Sequence, residues 1–121
     1  MNLAVFISGG GSNFKALIDA QNSGYFNSQI KFVVSNKNAP GLKYAEENNI
    51  DSLISKDEDE IIKNLKEHNI DLIVLAGYLV KISKKILDEF TVINIHPSLL
   101  PKYGGKGFYG MNVHNAVFEN K

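Results

Sequence analysis

An open, mainly parallel α/β sheet with helices on both faces is the architecture this sequence predicts, and three observations carry the prediction. Short continuous apolar runs recur along the chain, as at Leu3-Ala4-Val5-Phe6-Ile7 and Leu72-Ile73-Val74-Leu75-Ala76. Strands covered on both faces of a parallel sheet read that way. Between such runs lie stretches at helical spacing, for example Phe14, Leu17, Ile18 and Gln21. Glycine-bearing or polar turns punctuate the alternation. A strand–helix–strand rhythm with right-handed crossovers builds a mainly parallel sheet.

Each element has its own warrant. The first strand spans residues 3–7, and a helix over 13–21 is ended by Asn22-Ser23-Gly24. A second strand at 30–34 closes on Ser35-Asn36-Lys37-Asn38, and Pro40-Gly41 opens a second helix over 42–48. A short third strand lies at 52–54. Asp57 begins an acidic first turn, and Ile61, Ile62 and Leu65 line one side of the helix that follows. The fourth strand is 72–76. Ser83 caps a short helix with Ile86, Leu87 and Phe90 turned inward, the fifth strand is 91–95, and residues 111–120 form another helix. No repeat, linker or low-complexity segment interrupts residues 1–121, so one Rossmann-like domain is expected.

Composition narrows the chemistry. Thirteen basic residues balance thirteen acidic ones, so no net charge steers the chain toward nucleic acid or a membrane. All thirteen basic residues are Lys, and any bound phosphate or carboxylate is therefore held by backbone amides, Lys or neutral polar groups. With no Cys there is no disulfide framework and no zinc–thiolate site. No apolar run reaches the roughly 18 residues of a membrane span, and no signal peptide precedes the first strand; a cytoplasmic protein is expected.

Three candidate site segments fall at the carboxyl ends of strands, where open α/β sheets bind ligands. The first runs from Ser8 to Asn13, and its Gly9-Gly10-Gly11-Ser12-Asn13 joins a strand to a helix amino terminus, a turn suited to an anion. It is not a dinucleotide fingerprint: Phe14 stands at the third glycine position, and Ser35-Asn36-Lys37 replaces an acidic ribose partner. The second, residues 77–83, carries large apolar side chains. The third is Asn94-Ile95-His96-Pro97-Ser98-Leu99-Leu100-Pro101. Asn94 and His96, two apart on a strand, share a face and can stabilise an oxyanion while moving a proton. The structural alternatives are plain packing, helix capping and a hydrogen-bonded strand-end histidine. His68 reads as a solvated histidine. Four glycines, Gly104, Gly105, Gly107 and Gly110, mark a loop that can order over a substrate.

The 94–110 stretch, with Ile7-Ser8-Gly9-Gly10-Gly11-Ser12-Asn13 and Leu75-Ala76-Gly77-Tyr78, resembles the folate-dependent formyltransferases over nearly all of the chain. It is most similar to those that formylate glycinamide ribonucleotide in purine biosynthesis. The resemblance implies transfer of a formyl group from 10-formyltetrahydrofolate to that amine, without a metal. Asn94 and His96 would be catalytic, and Gly11, Ser12, Asn13 and Pro97 would bind the ribonucleotide. Leu79, Val80, Lys81, Ile82 and Asn94 would line the folate site; many relatives carry Arg at the position of Val80. Leu100-Pro101 would be a cis peptide. The family also uses an Asp on a later loop to hold the histidine, so the chain corresponds to the amino-terminal part of such a domain. Another formyl-folate enzyme, or a non-catalytic fragment that binds a ligand or a partner chain, stands as the alternative.

Overall fold

The structure, a computed structural model, describes residues 1–95 and the backbone of residues 111–113. The elements in chain order are β1 (Asn2–Ile7), α1 (Ser12–Asn22), β2 (Gln29–Ser35), α2 (Leu42–Glu47) and β3 (Asp51–Ile54). They continue with α3 (Glu58–Glu67), β4 (Leu72–Leu75), α4 (Lys84–Leu87), β5 (Thr91–Ile95) and β6 (Met111–Val113). Strand order is β3-β2-β1-β4-β5-β6. Strands β1 to β5 are mutually parallel, as the alternation with helices requires.

The continuous apolar runs are explained by burial on both faces. Val5, Phe6 and Ile7 are all fully inaccessible, so no position of the β1 run is left for a polar residue. One face packs Leu3, Val5, Ile7 and Val33 under Phe14, Leu17 and Ile18 of α1 and Ala45 of α2. The other packs Ala4, Phe6, Phe32 and Val34 under Ile61, Ile62 and Leu65 of α3 and Ile86 of α4. Each such aliphatic or aromatic side chain contributes about 1.5–3 kcal/mol on burial. The fold is thus a Rossmann-like, mainly parallel α/β sheet with helices on both faces.

Strand order reverses at the centre. From β1 the chain winds outward through β2 to β3, then returns to place β4 on the other side of β1. That is a topological switch point, and it opens a crevice at the carboxyl ends of β1 and β4.

Three sequence expectations are corrected. Residues 111–113 are not helical: β6 runs antiparallel to β5, pairing Ile93 with Val113, Asn94 with Asn112 and Ile95 with Met111. Without it β5 would present an unpaired backbone edge, and the β6 ladder satisfies those groups. The rest of the expected 111–120 helix lies outside the described residues. Ser83 stands at the amino-terminal cap of α4 but makes no capping bond; its hydroxyl donates instead to Glu58 Oε1 at 2.6 Å. Asp57 does cap, accepting from the backbone N–H groups of Asp59 and Glu60 at 3.0 and 3.3 Å. Nor is His68 solvated. Its ring stacks on Phe32 at 4.3 Å between centroids. Its two nitrogens face the Asn64 carbonyl at 2.8 Å and Asp51 Oδ2 at 3.0 Å.

Candidate functional site

The glycine turn comes first because β1 delivers it to the switch point. Gly11 adopts φ 79°, a left-handed conformation that costs other residues roughly 1–2 kcal/mol. A Cβ there would also sit 2.7 Å from the Cα of Gly41. The start of α2 presses on the turn, and the Gly41 N–H donates to the Gly9 carbonyl at 3.0 Å. Helix α1 begins at Ser12, and neither Ser12 nor Asn13 nor Gly11 supplies a side-chain cap. The first-turn N–H groups, which have no partners within the helix, are thus left available to an anion. The glycines provide the close approach, and α1, eleven residues long, aligns its dipole behind it.

The segment leaving β4 is fastened from three sides. Tyr78 meets the Phe6 ring edge-on, 5.2 Å between centroids at 75°. Burial, and then the charge of Glu58, push the Tyr78 phenol above its usual pKa, so it is a neutral packing group. Ser83 is tied to Glu58 as described. The third tie is Ser8, completely buried at the end of β1. Its hydroxyl donates to Asn36 Oδ1 at 2.6 Å and accepts the Leu79 N–H at 2.9 Å.

Beside this segment lies a cavity of about 280 Å³ lined by Leu75, Val80, Lys81, Ile82, Leu87, Val92 and Asn94. Its walls are mostly aliphatic, with one amide from β5 and one ammonium from Lys81. Small-molecule sites run roughly 300–1,000 Å³; this one suits a single flat ring system. Asn94 is partly exposed at the end of β5, on the same face as Val92 and one strand over from Leu75. A larger depression of about 620 Å³ runs along α2 and the start of β3. It includes none of the candidate site residues read from the sequence.

Of the predicted site residues, Gly11, Ser12 and Asn13 stand together on the β1–α1 turn, and Val80, Lys81, Ile82 and Asn94 share the cavity. Leu79 does not: its side chain is 81% exposed, and its backbone N–H is already given to Ser8. His96, Pro97, the 102–110 loop and the Leu100-Pro101 bond lie outside the described residues. Sequence reading places Ser8 in the first candidate segment but gives neither it nor Asn36 a positioning role. A hydroxyl ending a strand buried on both faces must find partners, and that was the available signal. Among the described residues no cluster of three His, Asp or Glu could hold a metal ion. Among them, too, no helix is long and apolar enough to cross a membrane.

The fold is that of a doubly wound α/β sheet, with a glycine turn after β1 and an aliphatic cavity at the exits of β4 and β5. The chain belongs to the formyl transferase family, whose model matches residues 1–120. It is 41% identical to a chloroplastic phosphoribosylglycinamide formyltransferase of Vigna unguiculata, over 95% of this chain and 41% of that protein. The phosphoribosylglycinamide formyltransferase of Escherichia coli (strain K12) is 36% identical over 99% of this chain and 60% of its own length. The crystal structure of the phosphoribosylglycinamide formyltransferase from Bacillus halodurans superposes with a TM-score of 0.74 at 31% identity, covering 84% of this chain and 58% of that one. The chain therefore spans about half the length of the relatives it matches.

Proposed function

We propose that this chain is the amino-terminal part of a single formyltransferase domain that moves a formyl group from 10-formyltetrahydrofolate to the amine of glycinamide ribonucleotide, in purine biosynthesis. The observation that carries the reading is that one edge of the sheet, the carboxyl ends of its parallel strands, holds both an uncapped helix start on the glycine turn after β1 and an aliphatic cavity at β4 and β5 that contains Asn94. The names of the relatives support the same substrates. A phosphorylated acceptor suits Gly11, Ser12 and Asn13, and the family resemblance adds Pro97. The pterin head of the donor suits the walls formed by Val80 and Ile82, with Lys81 at hand for the acidic end.

In this mechanism the acceptor amine attacks the formyl carbon and the carbonyl oxygen gains charge. The Asn94 amide donates to that oxyanion, a contribution of about 2.7–4 kcal/mol for one well-placed donor. His96, protonated, adds a second donor; its proton passes to the folate nitrogen as that bond breaks, and the proton shed by the acceptor amine restores the imidazolium. No metal is needed for these steps. The work is done as a soluble cytoplasmic enzyme.

The direct test incubates the complete gene product with 10-formyltetrahydrofolate labelled in the formyl group and with glycinamide ribonucleotide. Labelled formylglycinamide ribonucleotide is the expected product. Release of labelled formate alone, or labelling only of a different acceptor, would replace this reading by that of another formyl-folate enzyme.

A further inference from the structure

Ser8 and Ser35 are the only fully buried polar side chains among the described residues. Ser35 satisfies itself locally, donating to the Lys37 carbonyl two residues on. Ser8 does not. Its partners are 28 and 71 residues away, at the exits of β2 and β4, while its own backbone leads into the glycine turn. The chain Leu79 N–H to Ser8 Oγ–H to Asn36 Oδ1 therefore joins three strand ends through one hydroxyl. Consecutive bonds of this kind polarise and strengthen one another in a dry interior. Leu79 gains little from packing, since its side chain is largely exposed; the amide bond to Ser8 is what holds it.

We infer that Ser8 is a positioning residue, which sets the 77–83 segment against the glycine turn so that donor and acceptor subsites are held at one separation. The inference rests on the functional reading above. Two bound reactants react quickly only at near-contact distance, and small misplacement lowers turnover steeply. Ser8 touches neither ligand in this scheme. Its removal should therefore loosen the donor side and turnover while sparing acceptor binding, because the glycine turn keeps its own tie to Gly41.

The test uses Ser8→Ala and Asn36→Ala in the complete gene product, with amide hydrogen exchange and steady-state kinetics for both substrates. Ser8→Ala should speed exchange at Leu79 at least tenfold while leaving Val74, in the β4 ladder, unchanged. It should raise the KM for formyl-folate and lower kcat, each several-fold, with the ribonucleotide KM within twofold. Asn36→Ala, at a half-buried site, should move the same quantities in the same direction by less. It decides the matter should Ser8→Ala fail to fold. An active wild type whose variants keep their donor KM and kcat overturns the positioning role alone, and marks Ser8 as merely structural. A wild type that forms no formylglycinamide ribonucleotide overturns the functional reading, and the positioning role with it.

Discussion

The two ends of the sheet treat their polar groups in opposite ways. At the amino end, polar groups close on one another: the Asn2 N–H donates to Asp71 Oδ2 at 2.8 Å, and the Asn2 amide to the Asn69 carbonyl at 3.0 Å. His68 completes the pattern, clamped between Asn64 and Asp51 at the start of β3. At the carboxyl end, the glycine turn and the β4 exit are positioned by the Ser8 bonds, and the start of α1 has no side-chain cap. None of the ion pairs among the described residues involves Gly11, Ser12, Asn13, Lys81 or Asn94. The polar groups of the first end serve the fold, while the proposed function assigns those of the second to ligands. Changes at the first should therefore show in stability and changes at the second in turnover.

The largest expected effect is at the carboxyl end. Asn94→Ala should lower kcat of the complete gene product by about 10²–10³, the usual consequence of deleting one oxyanion donor. Its urea midpoint should stay close to wild type, because Asn94 is only partly buried at a strand end. An unchanged kcat would remove Asn94 from the chemistry. Gly11→Ala comes next and should show in both quantities. The left-handed backbone costs roughly 1–2 kcal/mol, and the 2.7 Å approach to Gly41 forces α2 to shift. Urea denaturation should record the loss, and calorimetry with glycinamide ribonucleotide should record weakened binding. Binding at full strength would show that the turn is not the anion site.

At the amino end the effects should be smaller and confined to stability. Asp71→Ala leaves the Asn2 N–H without its acceptor, and should cost roughly 0.5–1.5 kcal/mol in denaturation with kcat unchanged. The smallest effect should be the pH dependence carried by His68. Burial pulls its pKa down, but the hydrogen bonds to Asp51 and Asn64 and the charges of Asp51 and Glu67 outweigh this and raise it above 6.5. Both ring nitrogens face acceptors, which favours the imidazolium. A raised folded pKa means that the folded state binds the proton more tightly. The extra stability is thus fully present below the unfolded value near 6.5 and is lost as pH rises through the folded value. Denaturation midpoints measured from pH 5 to 9 should show that decline, and His68→Gln should abolish it. A decline that persists in the variant would assign it to another group.

What could be read from sequence follows the range of the interaction that decides each feature. The β1 and β4 runs were legible because burial on both faces leaves no polar position to confuse the pattern, and the glycine turn because φ 79° at Gly11 is a local demand. The acidic first turn read from Asp57 onward is a local feature too: Glu58, Asp59 and Glu60 form it, with Asp57 as the cap before them. The misses are non-local. Residues 111–113 carry helix-compatible side chains, and only the open edge of β5 makes them a strand. His68 looked solvated because Phe32 and Asp51 reach it from other elements. Ser83 looked like a cap until Glu58 competed for its hydroxyl. In the candidate site, Val80, Lys81, Ile82 and Asn94 line one cavity, while the burial of Ser8 signals only that its hydroxyl needs partners, which lie 28 and 71 residues away.

The contrast between the two ends is tested most directly by amide chemical-shift mapping of the complete protein, titrated separately with glycinamide ribonucleotide and with an unreactive folate analogue. The account predicts that the ribonucleotide shifts the amides of Gly9 to Asn13, that the folate analogue shifts those of Val80 to Ile82 and Asn94, and that Asn2, His68 and Asp71 stay still. Shifts centred on Asn2, His68 and Asp71, or none at the carboxyl end with either ligand, would contradict it.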